Sequence, residues 1–390
     1  MAVLRRLAAA VLATGLVLMP ATSAHADQVR SDEQPFLDAL NVQQAWNVTK
    51  GAGATVAVLD SGVDGSQQDL TGSVTTGPDF AAGANPAGIA PKRLHGTNMA
   101  SIIAGHGHGS GSADGIVGVA PEARLLAARV ILETDEPGFR IFNSNARFDD
   151  TIAKGIRWAV DHGADVINMS LGKSSPTKDD RQAVSYAISH GVVLVAAAGN
   201  DGTGKTYAPY SYPASFPGVI SVAAVNSSHQ HAGFSNRNSA VVVSAPGVQV
   251  VGAGPNDTYW VGDGTSPATA FVSGVAALIR SKYPKLAPPL VAQALVESTA
   301  NRPAGGYDAG VGFGEVDAAG ALRAAGRLAG TKLSGAGQPG DVRFTVGDVP
   351  PIQIVYRDRS LIAVYGGVGS ATLLLFLGSI VFIIARRRRA

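Results

Sequence analysis

Four polar residues stand where the surrounding sequence is otherwise small or apolar. Asp60 closes the run Thr55–Leu59, and His95 opens the segment Leu94–Gly105. Asn200 closes Val195–Gly199, and Ser266 follows Gly264-Thr265 and precedes the small-residue run Pro267–Leu278. An aspartate, a histidine and a serine are the parts of a nucleophilic site. The hydroxyl attacks, the imidazole takes its proton, and the carboxylate orients the ring and stabilises the imidazolium. A primary amide can donate a hydrogen bond to the oxyanion that the attack creates. Each residue also has an ordinary reading. Asp-Ser-Gly is a common turn, a histidine beside glycine suits a surface, a serine before proline caps a helix, and an asparagine after a strand suits a turn. The chain order Asp, His, Ser favours the joint reading, because it is one of the few orders in which such a triad occurs.

The elements around these residues would bring them together. Six short apolar runs, Thr55–Leu59, Leu125–Val130, Val166–Met169, Val192–Ala197, Val219–Val225 and Val241–Ser244, suit strands buried on both faces of a parallel sheet. Helical patterns at Asp149–His162 and Asp179–His190 each end at a glycine, Gly163 and Gly191. The alternation predicts a doubly wound α/β fold with a mainly parallel sheet flanked by helices, whose sites form at the carboxyl ends of the strands. Asp60 and Asn200 fall at such ends. Pro267 suits the first turn of a helix, which puts Ser266 at its positive end.

The chain has 390 residues, 46% hydrophobic and 15% charged, enough for one large packed domain with appendages. The net charge is +2 and four arginines cluster at 386–389, so nothing points to a nucleic-acid partner. Without cysteine the chain has no thiol nucleophile, thiolate metal site or disulfide. His106-Gly107-His108 lacks an obvious third metal ligand, and no G-x-S-x-G centres on Ser266, which argues against an α/β-hydrolase.

The segments Val56–Val63, His95–Gly105, Ala196–Asn200 and Gly264–Gly274, in this order, resemble the sequence blocks of the subtilisin-like serine proteases. The resemblance runs from about Pro35 to Arg327. It implies an endopeptidase with Asp60, His95 and Ser266 as triad and Asn200 in the oxyanion hole, needing no cofactor. It also implies that Ser170-Leu171-Gly172 lines the cleft for a protein or peptide substrate. Asp69 resembles a position that helps hold a structural calcium ion in this family, and no other ligand is assigned. Within the family the layout is similar to the mycosins of actinobacteria, which accompany type VII secretion systems. That similarity implies a protease linked to a secretion membrane complex. A scaffold stabilising such a complex, and a general surface protease trimming exported proteins, are the alternatives.

Both ends carry membrane signals. Arg5 and Arg6, an apolar stretch Leu7–Met19 and the small-x-small pattern Ala24-His25-Ala26 predict a signal peptide over 1–26. Residues 27–327 are then the peptidase domain, with 27–54 as an N-terminal strap. Residues 328–360, rich in Gly and Pro, read as a stalk with one short strand at Val342–Val346. Leu361–Ala385 is 25 residues without a charge, followed at once by the arginines. This predicts a transmembrane helix with a cytoplasmic tail at 386–390 and the catalytic domain outside.

Overall fold

The computed structural model describes residues 24–204, 206–331 and 359–387. The chain divides into two units, 1–331 and 332–390. In the first, helices α1 (Ala24–Ala39) and α2 (Val42–Trp46) precede β1 (Thr55–Asp60), β2 (Val74–Asp79) and α3 (Leu94–Ala104). A small ribbon, β3 (His106–His108) and β4 (Asp114–Val117), leads to β5 (Arg124–Arg129), α4 (Phe139–Ser144) and α5 (Thr151–Asp161). Next come β6 (Val166–Met169), α6 (Lys178–Ser189), β7 (Val193–Ala197), β8 (Val219–Val225) and β9 (Val241–Pro246). A second ribbon, β10 (Val250–Gly254) and β11 (Thr258–Gly262), is followed by α7 (Thr265–Lys282), α8 (Pro288–Ser298) and α9 (Ala318–Leu328).

Seven strands form one sheet in the order β2-β5-β1-β6-β7-β8-β9, and every neighbouring pair is parallel. Successive side chains of a strand point to opposite faces, and both faces are covered. Val56 and Val58 of β1 enter a core shared with α3, α7, α8 and α9, while Ala57 and Leu59 enter one shared with α5 and α6. That two-sided burial is why the strand sequences read as unbroken apolar runs. All six of those runs are strands of this sheet. The seventh, β2, has no such run: it is an edge strand, largely exposed, with Gly77 and Pro78 inside it. An edge tolerates proline because the missing N–H would face away from the sheet.

Helix α1 lies against β4 and β10, and Leu37, Leu40, Val42 and Ala45 are buried in the main core. α1 begins at Ala24 and so runs across the boundary at Ala26 expected for signal cleavage; the rest of that segment, residues 1–23, lies outside the described residues. Trp46 Nε1 donates to Val119 O at 2.8 Å, and Val117 N donates to Glu33 Oε2 at 2.9 Å. The strand expected at Val342–Val346 also lies outside the described residues. In the second unit, α10 spans Arg359–Arg387. Among the described residues no helix is long and apolar enough to cross a membrane; within the run Leu361–Ala385 the side chains of 361–363, 366 and 380–385 lie outside the description.

Glu33 is 2% exposed. Its burial pushes the carboxyl up to about 8, against the lowering effects of the Val117 N–H and the Arg30 guanidinium. The folded protein therefore keeps a proton that the unfolded chain releases in the usual carboxylate range. Stability falls as pH rises between those two values. Glu33→Gln keeps an oxygen for the Val117 N–H and has no proton to lose. Its Tm is expected to fall less than that of the parent as pH rises from about 5 to about 8; equal declines in the two proteins would contradict this.

Candidate active site

Asp60 is the last residue of β1 and is fully buried. Its Oδ1 accepts the Ser61 N–H at 2.7 Å and stands 2.7 Å from His95 Nδ1. His95 is the second residue of α3, and its side chain is 35% exposed, so one edge of the ring meets Asp60 and the rest faces a cleft. Burial opposes the imidazolium, but the charge and hydrogen bond of Asp60, with a further contribution from Glu133, outweigh it. The His95 pKa is raised above its ordinary value.

Ser266 occupies the first turn of α7, a helix buried along nearly its whole length, with Pro267 beside it. The nucleophile candidate is held from below by a polar chain. Ser273 Oγ donates to Asn168 Oδ1 at 2.9 Å, Asn168 Nδ2 to Ser170 Oγ at 3.1 Å, and Ser170 Oγ to Ser266 O at 2.9 Å. The Ser266 hydroxyl itself donates to the Ser170 carbonyl at 3.2 Å. It rests there rather than on His95, so attack requires a turn about its Cα–Cβ bond. Catalytic hydrogen bonds commonly tighten only when substrate is present.

Asn200 follows β7. Its Oδ1 accepts both the Thr265 N–H and the Thr265 hydroxyl, each at 2.9 Å. With both lone pairs of that oxygen filled, the amide orientation is fixed and Nδ2 has only the cleft to face. A methyl group built on Gly264 would lie 3.5 Å from Asn200 Nδ2 and 3.5 Å from the Ser266 amide nitrogen. The Asn200 amide nitrogen and the Ser266 backbone nitrogen therefore both border the space above Gly264, and a side chain there would fill it. Donors placed in this way can stabilise an oxyanion.

His95, Ser170, Asn200 and Ser266 line one cleft of about 510 Å³, walled by apolar Leu94, Met99, Leu132, Trp260 and Val261. Leu171 and Gly172 line a second cavity of about 410 Å³, and Ile131 is common to both. The four residues singled out by chemistry thus come together, and the three of the substrate segment divide between the two cavities. Thr265, Ser61 and Glu133 also belong to the site. No local pattern marks them, although Thr265 lies directly before Ser266.

Asp69 is fully buried, and its oxygens are occupied by donors. His108 Nδ1 stands 2.6 Å from Oδ1, and the Ile116 N–H and the Tyr259 hydroxyl reach Oδ2 at 2.9 Å each. Nearby carbonyls of Ser112, Asp114 and Gly115 accept from the Arg30 guanidinium. A calcium ion needs six to eight free oxygens, and the residues present here do not fit one. His106 and His108 lie in β3, not in a loop as their glycine-rich surroundings suggest, and their rings face different partners.

Residues 51–314 match the profile of the subtilase family of peptidases. The chain belongs to the subtilase family. This subtilase is 39% identical over 272 residues to subtilisin E of Bacillus subtilis, covering 69% of its own length and 66% of that protein. It is 37% identical over 318 residues to fervidolysin of Fervidobacterium pennivorans, covering 74% of its own length and 44% of that protein. Among solved structures it is similar to MycP1 from Mycobacterium smegmatis, with a TM-score of 0.62 and 28% identity over 81% of this chain and 89% of that one. It is also similar to the MycP3 protease from the type VII (ESX-3) secretion system, with a TM-score of 0.59 and 31% identity over 74% and 87% of the two chains.

Gly96 shows how tightly the subtilase positions its histidine. A Cβ at this position would overlap the Gly62 carbonyl oxygen and come 3.2 Å from Asp60 Cβ. Gly96→Ala must therefore displace the start of α3 or the end of β1. It is expected to lower stability by about 1–3 kcal/mol and to reduce turnover well beyond the loss of folded protein. Wild-type kcat in the folded variant would contradict this.

Proposed function

We propose that this subtilase is an active serine endopeptidase, anchored in a membrane by its C-terminal helix with the catalytic unit outside. The observation that carries the chemistry is the convergence in one cleft of an Asp60–His95 pair, the Ser266 hydroxyl and two N–H donors above Gly264. Ser266 Oγ swings from the Ser170 carbonyl, gives its proton to His95 and attacks the scissile carbonyl. Asp60 stabilises the imidazolium, and Asn200 Nδ2 and the Ser266 N–H receive the oxyanion. His95 protonates the departing amine, and water releases the acyl-enzyme. A peptide laid extended along Ser170–Gly172 would reach from the catalytic cleft into the second cavity, pairing with the backbone of this segment as an added strand.

The uncharged run Leu361–Ala385 and the arginines after it support the anchor and its orientation. The likeness to MycP1 and to MycP3, the latter from a type VII secretion system, supports a role beside such a system.

A fluorophosphonate probe is expected to label Ser266, and Ser266→Ala to lose both labelling and peptide hydrolysis. Labelling at another serine, with Ser266→Ala still active, would sink the assignment. Asn200→Ala is expected to lower kcat by about 10²–10³ with KM nearly unchanged, the loss known for the same kind of donor in subtilisin, a relative of this chain. Because protein donors occupy both oxygens of Asp69, a chelator is expected to leave Tm and activity unchanged. A marked fall in Tm with EDTA, reversed by calcium, would show a site that Asp69 does not reveal.

A further inference from the structure

The helix that carries His95 has no local cap. Its N-cap residue, Arg93, is in the left-handed region at φ 59° and offers no side-chain hydrogen bond to the first turn. The missing acceptor comes from a distant loop. Glu133, four residues beyond β5, accepts the His95 N–H at 2.9 Å through Oε1, and the same oxygen accepts the Ser61 hydroxyl at 2.8 Å. Ser61 Oγ in turn accepts the Gly96 N–H at 3.1 Å. One carboxylate oxygen thus ties together the residue after Asp60, the backbone of His95 and the wall of the cleft, which Glu133 itself lines.

We propose that Glu133 is a positioning residue of the triad whose negative charge also biases His95 toward its protonated form. The proposal rests on the endopeptidase reading above. A neutral acceptor would cap α3 equally well; a carboxylate adds a second anion beside the imidazole. Other charged groups stand on the elements packed around this site. Asp60 meets it from β1, and Asp64 follows in the next turn. Arg93 and the exposed pair Lys92–Asp135 stand at the start of α3, and Asp263 faces the cleft after β11. Of the acids, Asp60 and Glu133 are the two that favour the imidazolium, and Asp60 does most of the work. The base form is the catalytic one, so an anion that favours the imidazolium moves the acid limb of the rate profile to higher pH. Removing that charge moves the limb to lower pH.

The test is the pH dependence of kcat/KM for a peptide substrate in the full-length wild-type protein, Glu133→Gln and Glu133→Asp. Gln keeps an oxygen for Ser61 and His95 while removing the charge. Its acid limb is expected to fall by roughly half a pH unit to one unit, whatever the height of its plateau. Asp keeps the charge and is expected to hold the limb near its wild-type position even where the shorter side chain lowers the plateau. An unchanged limb in a folded Glu133→Gln would overturn the electrostatic role, as would equal downward shifts in both variants. If Glu133→Gln does not fold, Glu133→Ala takes its place in the same profile: a limb moved to lower pH supports the charge role, and an unmoved limb overturns it. A wild-type protein without Ser266-dependent turnover would instead defeat the endopeptidase reading, so the two failures are distinct.

Discussion

A buried carboxylate at the carboxyl end of a central strand governs the architecture of this site. Asp60 has no solvent to share its charge with. Its Oδ1 is met by the Ser61 N–H and by His95 Nδ1, and its Oδ2 is buried with no donor among the described residues. An anion held this way is tolerable only if a cation or strong donor stays beside it. The histidine is therefore fixed by the same interaction that will stabilise its protonated form. Gly96 lets the start of α3 approach the β1 turn closely enough for this to happen, and the Glu133 carboxylate fastens the two together from the side.

The nucleophile is fixed by a different device. Small residues run through α7, and the helix is buried deeply enough that a Cβ at Gly274 would lie 2.6 Å from Val119 Cβ. Such a helix cannot shift or roll without leaving voids or clashes. Its first turn is then bound from two sides. The Asn168–Ser170–Ser273 network secures it to β6, and the Thr265–Asn200 bonds secure it to the end of β7. The proposed oxyanion donors would be consequences of these constraints. Asn200 points its N–H₂ at the cleft because Thr265 has taken its oxygen, and the Ser266 N–H is free because it opens a helix.

The sequence made the sheet legible because burial on two faces leaves unbroken apolar runs, and β1 and β5 to β9 all carry one. It hid β2, whose exposed, proline-containing segment looks like a loop, and it hid the β10–β11 ribbon, whose second strand is mostly exposed. Asp60, His95, Asn200 and Ser266 could be read because each is a polar residue at the end of an apolar or small-residue segment. Glu133 could not: its contacts to His95 and Ser61 span 38 and 72 residues, and no local pattern encodes a bond of that range. The surroundings of Asp69 were hidden for a related reason. The residue type suits calcium, but whether its oxygens are free depends on His108, Ile116 and Tyr259, which the fold brings from elsewhere.

The central claim is that Ser266, His95 and Asn200 act on one reacting group above Gly264. A crystal structure of the protein inactivated by a small phosphonate tests it directly, because the phosphonyl group mimics the tetrahedral intermediate. The account requires phosphorus on Ser266 Oγ, with the hydroxyl oxygen withdrawn from the Ser170 carbonyl. It also requires one phosphonyl oxygen within about 2.7–3.1 Å of both Asn200 Nδ2 and the Ser266 amide nitrogen. A phosphonyl oxygen directed away from Asn200 into solvent, or an adduct on any other residue, would contradict it.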